Sequence, residues 1–174
     1  KKLLLLSALL IFACCSDDST SDDNSQPSNC DVVYLDDNGI TIKACDDAVV
    51  GQSGVVNGIS YTIVSGAMLD DLIANGDDLT RVCTTRIVDM QNLFEYSTSN
   101  QPIGNWDVSN VTNMNFMFFR AGSFNQDISN WDVSNVTDMS QVFRQAGEFN
   151  QDIGSWDVSN VTDMGVMFAY AISF

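Results

Sequence analysis

The side chains with most chemistry to offer are carboxylates at a fixed period. Asp127, Asp132 and Asp138 return 25 positions later as Asp152, Asp157 and Asp163. Recurrent acids of this kind suggest two chemistries. One is calcium binding, which takes roughly six to eight oxygen ligands; the spacing matches neither an EF-hand loop nor a glycine-rich nonapeptide. The other is glycoside hydrolysis by a carboxylate pair. A catalytic pair should be unique, yet nothing separates any pair here from its copies in adjacent units. The chain has no histidine, which removes the commonest general base and the commonest nitrogen ligand for metals. Ser-His-Asp and Cys-His nucleophiles are excluded with it. The expectation is a protein that is no enzyme and holds no metal and no cofactor.

The acids sit in a repeat. "WDVSNVT" occurs at 106–112, 131–137 and 156–162. Three units align at 99–123, 124–148 and 149–173, and the last two agree at 16 of 25 positions. An earlier, degenerate unit shows in "TRIVDMQNLFEYS", one residue short in its spacing, as terminal repeats often are. Two kinds of position recur. The apolar kind is Trp106, Val108, Val111, Met114 and Phe118, then Trp131, Val133, Val136, Met139 and Phe143, then Trp156, Val158, Val161, Met164 and Phe168. Met139, Val142, Phe143 and Ala146 follow i, i+3, i+4, i+7, the face of a short helix. Thr137 or Asp138 suits its N-cap and Gly147 its C-terminal stop. Trp131 and Val133 lie two apart, as on a short strand. One unit then reads as strand, turn, helix and return loop. Alone it leaves its apolar face in water, and stacked copies cover one another. The expected fold is an α/β repeat solenoid, leucine-rich-repeat-like, with short parallel strands and short helices behind a small β-rich cap. The tryptophans read as core rather than as an exposed row for sugar stacking.

The polar kind is Asp132, Ser134, Asn135 and Thr137, with Asn125, Gln126 and Asp127 in the return loop. Short polar side chains serve the backbone groups that tight turns leave open, and stacked Asn residues form ladders. Asn-Val-Thr matches a glycosylation sequon three times, a short pattern that recurs here only because the repeat does.

Ahead of the repeats, residues 30–78 read as a leader that caps their open end. Asn38-Gly39 and Asn57-Gly58 are hairpin signals between β-rich runs, and Met68, Leu69, Leu72 and Ile73 take helical spacing before Gly76. Further forward, two lysines precede an apolar run from Leu3 to Ala13, too short to span a bilayer but the length of a signal-peptide core. Ile11-Phe12-Ala13-Cys14 resembles a lipobox, so residues 1–13 read as a lipoprotein signal peptide and Cys14 as its lipidated residue. Residues 14–29 are acidic and Ser/Asp-rich, composed as a disordered tether. The remaining thiols are Cys15, Cys30, Cys45 and Cys83. Cys30 with Cys45 is one of three connectivities the four allow, and free buried thiols are another reading.

The motif "FNQDISNWDVSNVTDMSQVF" resembles the 25-residue repeat of BspA-type leucine-rich-repeat bacterial surface proteins, also seen in a lipoprotein-repeat family of wall-less bacteria. The resemblance runs over residues 79–174. It implies a surface-exposed repeat protein, with adhesion to host or matrix proteins for some members, and transfers no functional residue. A net charge of −16 is unsuited to nucleic acid or an anionic surface. The sequence therefore points to a non-catalytic lipoprotein, anchored in the bacterial outer membrane by its N-terminal lipid and exposed at the cell surface. It would engage a protein or matrix partner for adhesion, or alternatively capture glycans or nutrients. The chain opens without Met and closes on the first residue of a further unit, so it reads as a piece of a longer protein.

Overall fold

A computed structural model describes residues 30–174. The signal peptide expected at 1–13, its lipidated Cys14 and the tether expected at 14–29 lie outside the described residues.

The leader begins with a hairpin of β1 (Val33–Leu35) and β2 (Ile42–Ala44), in which Val33 faces Ala44. Its loop closes because the Asn38 carboxamide oxygen accepts the N–H groups of Ile40 and Thr41. The second hairpin joins β3 (Ser53–Val56) to β4 (Ile59–Ile63) through Asn57-Gly58. Both turn residues have positive φ, 50° and 80°, as the twist-matched two-residue turn requires. Helix α1 (Gly66–Asn75) follows. The Ser65 hydroxyl caps it by accepting from Met68 N–H, and Gly76, left-handed, ends it. Gly76 N–H returns to Ile73 O and Asp77 N–H to Leu72 O, which satisfies two of the last four carbonyls. The chain then lays β5 (Val82–Cys83) parallel to β4. Leu69 of α1 and Val82 of β5 enter the same apolar core as the repeats, while Val33, Ile42, Cys45 and Ile63 form a second, smaller one.

The α/β solenoid expected from the sequence is not what forms. Among the described residues there is one helix, α1, in the leader, and the strands make only two small sheets, β1-β2 and β3-β4-β5. No helix spans Met139–Ala146, no strand spans Trp131–Val133, and the units close no continuous sheet. Neighbouring units meet instead at isolated parallel bridges, Asp89 to Asn113, Asn113 to Asp138, and Asp138 to Asp163.

The reason lies in where the N–H groups go. In the second unit Val142, Arg144 and Ala146 donate three residues back, to Met139, Gln141 and Phe143. The residues between them, Met139, Gln141, Phe143 and Gln145, donate to the next unit, at Asp163, Gly165, Met167 and Ala169. An α-helix needs every N–H for its own i−4 carbonyl. Here alternate donors are diverted sideways, and the chain runs as a ribbon of consecutive turns. Gln141 and Gln145 take left-handed φ, 61° and 59°, as do Phe116 and Arg120 one unit earlier. A turn ribbon returns a side chain to the same face about every four residues, so it shows the apolar spacing that reads as a helix.

Candidate functional site: the faces of the repeat stack

The stack has an aromatic interior. Phe94, Phe118, Phe143 and Phe168 form a column with ring centres 5.3, 5.5 and 5.7 Å apart, within 12° of parallel. Phe124, Phe149 and Phe174 form a second column at 6.2 and 5.8 Å. Trp106, Trp131 and Trp156 are buried, and each indole N–H donates back to the unit before, to Leu79 O, Ile103 O and Ile128 O. Val108, Val111, Met114, Val133, Val136 and Met139 are buried with them. The third unit departs from the expected core. Val158 and Met164 are 40% and 41% exposed, and Val161 and Phe168 only half-buried. That unit packs against the second unit on one side, and its other side is exposed.

The polar invariants are consumed in holding turns and joining units. Each of Asp127, Asp132, Asp138, Asp152, Asp157 and Asp163 accepts, through one carboxylate oxygen, the N–H two residues on. Asp127 takes the Ser129 hydroxyl and then its amide, which together hold the carboxyl below the usual aspartate range. Thr112, Thr137 and Thr162 send both backbone N–H and hydroxyl to one carbonyl of the preceding unit. Asn110, Asn135 and Asn160 donate to Thr85 O, Ser109 O and Ser134 O. Their amide nitrogens are therefore committed within the stack. The calcium reading finds no cage: among the described residues no three of His, Cys, Asp or Glu converge on a metal position.

Leader and stack are joined by a buried polar contact that no spacing announced. Asp107 is 2% exposed, whereas its copies Asp132 and Asp157 are exposed. Its second oxygen accepts the Thr85 hydroxyl at 2.6 Å, and Thr85 in turn accepts Ala44 N–H at 3.0 Å. Lys43 lies near it. Burial pulls the lysine down, but Asp107 and then Asp36 outweigh that and hold its ammonium above the usual lysine value. Arg86 adds a second clasp, donating to the carbonyls of Cys45, Asp46 and Ala48. Cys30 and Cys45 are joined in a disulfide, Cα atoms 6.0 Å apart. Cys83 is a free buried thiol, pushed up by desolvation.

One face carries side chains not consumed in this way. Arg120 stacks its guanidinium 5.2 Å from the Phe119 ring centre and 5.3 Å from that of Tyr96, and Arg144 lies 5.5 Å from the same Phe119. Phe116 and Tyr96 meet Phe119 edge-on. Sequence reasoning passed over this cluster. The signal was present, since Arg120 and Arg144 are the only cations from 87 to 174, against ten acids.

A family model described as "Mycoplasma protein of unknown function, DUF285" matches residues 66–174. The chain belongs to the DUF285 family. The match takes in α1, β5 and every repeat unit, so α1 lies on the family side of the chain rather than in the leader alone. The DUF285 assignment does not extend to the BspA-type proteins that the motif resembles. No curated protein and no solved structure matches the chain.

Proposed function

We propose that this protein is a non-catalytic binding module displayed on the bacterial cell surface and anchored by lipid at Cys14, in the outer membrane. The observation that carries the reading is the fate of the repeated acids. Each is tied into a local turn, and each has equivalents one unit away. A stack whose polar invariants all serve its own construction offers area rather than a reaction centre, and repeat arrays of this kind are commonly used as binding faces. The finer resemblance to BspA-type surface proteins supports display outside the cell; their leucine-rich-repeat fold is not carried over. No helix among the described residues is long and apolar enough to cross a membrane, so the proposed attachment is the lipid. Its partner is a matrix or cell-surface molecule, met in adhesion. Capture of glycans is the second reading, favoured by exposed Tyr96 and Arg120 beside partly buried Phe116 and Arg144.

Three measurements test this. Protease shaving of intact cells should remove the protein, and Cys14→Ala should release it from the membrane fraction. Deletion of residues 79–174 should lower attachment of cells to matrix or to neighbours. A protein untouched by protease in intact cells, or unchanged attachment after the deletion, would refute the reading.

A further inference from the structure

We propose that the Arg120–Arg144 cluster is a binding site for an acidic glycan, one that carries a carboxylate on a pyranose ring. The inference rests on the reading of the repeats as a binding face and names its ligand class.

Charge is the first observation. The protein carries −16, yet the ribbon segments 114–121 and 139–146 contain no acid and hold both arginines. Neither arginine has an ion-pair partner among the described residues, where the only pairs are Lys43–Asp36 and Arg81–Asp78. In a chain with 23 acids, two adjacent unpaired guanidiniums mark a place for an outside anion.

Preorganisation is the second. Both guanidiniums lie against Phe119, at 5.2 and 5.5 Å, so their charge centres are at most about 11 Å apart. Stacking fixes the plane of a guanidinium and leaves its edge N–H groups pointing outward. Two glutamines steady them further. The Gln145 side-chain oxygen accepts from Arg120 Nε, and that of Gln141 from Arg144 Nη1. Each glutamine thereby spends its acceptor and keeps its NH2 group. The site therefore presents almost only donors and selects a ligand rich in acceptors.

Shape is the third. Tyr96 is 59% exposed and Phe116 partly buried against Phe119, giving an apolar edge next to the donors. A uronic sugar meets all three features: its carboxylate takes the guanidinium fork, its ring and hydroxyl oxygens take the glutamine NH2 groups, and its C–H face lies on the tyrosine. An oligoglutamate offers carboxylates and carbonyl acceptors but no rigid C–H face for the tyrosine.

The test uses the purified full chain and calorimetric titration at low salt with trigalacturonate, its methyl ester, and triglutamate. The expected result is binding of trigalacturonate, weakened at least about tenfold by methyl esterification and tighter by at least about tenfold than triglutamate. The double variant Arg120→Gln with Arg144→Gln should lose at least about tenfold while Arg81→Gln loses nothing. Thermal melting reports whether each variant is folded. Should the double variant melt early, Arg120→Lys with Arg144→Lys keeps the charge without the fork, and its affinity should still fall. Absence of trigalacturonate binding, equal binding of triglutamate, or folded double variants at full affinity would overturn the assignment. None of these outcomes touches the cell-surface reading, which shaving and attachment decide.

Discussion

Asp107 and Asp132 occupy the same place in identical heptapeptides, yet their replacement should have unequal consequences. Both hold a local turn: Asp107 takes the amide and hydroxyl of Ser109 at 3.1 and 2.6 Å, and Asp132 those of Ser134 at 3.1 and 2.6 Å. Loss of that turn costs about 1 kcal/mol in either case, by analogy with helix caps. Asp107→Ala also removes the acceptor of the Thr85 hydroxyl and strands it in the core, with a cost of about 1–3 kcal/mol for the unsatisfied group. It leaves the half-buried Lys43 facing one carboxylate fewer as well. Relief from burying the Asp107 charge offsets part of this. The net expectation is that Asp107→Ala is worse than Asp132→Ala by about 2 kcal/mol, the remainder of those two opposed effects. Urea unfolding at neutral pH measures it, read from midpoints at unchanged slope. Adding Thr85→Val to Asp107→Ala should bring no recovery, since it removes the stranded hydroxyl but also takes the acceptor from the buried Ala44 N–H. Equal losses from the two single variants would show that the Thr85 contact does not fasten leader to stack.

Trp131→Ala should lower stability by about 3–5 kcal/mol, since it empties a buried site and frees the Ile103 carbonyl, and tryptophan emission of the folded parent should be blue-shifted from that in water. Val166 is a β-branched residue at φ 50°, so Val166→Gly should raise the unfolding midpoint, by about 1 kcal/mol in free energy. The carboxyl of Asp127 is depressed by Ser129; a depressed carboxylate stabilises the fold above its unfolded value, and that stabilisation is lost as pH falls from there through the lower folded value. NMR titration should therefore place Asp127 below the ordinary 3.8, and Ser129→Ala should return it toward that value.

The period, the buried tryptophans and the two hairpin turns were legible because each follows from a local rule about one side chain or one turn. Asn57-Gly58 requires positive φ whatever surrounds it. The helix assigned to Met139–Ala146 was misread for a different cause: i, i+3, i+4, i+7 records which side chains share a face, not where the N–H groups go. Only the partner unit shows that Gln141 and Gln145 donate outward. Asp107 could not be told from Asp132, because their neighbours in sequence are the same and their neighbours in space are not. Val158 and Met164 were assigned to the core on the pattern of their copies, and burial depends on what lies beside them. The arginine–aromatic cluster was readable from charge alone, had the rarity of cations been followed as closely as the abundance of acids.

The joints between units run in two senses at once. Ribbon amides donate forward, while the indole, threonine and asparagine donors reach backward. The seams between repeat units thus share the same kinds of backbone and side-chain donor. Removing residues 124–148 would bring 149 onto 123 with like partners on both sides, and inserting a copy would do likewise. The length of the stack is then a quantity that gain or loss of whole units can adjust in equal steps, with no fresh interface to evolve at each change.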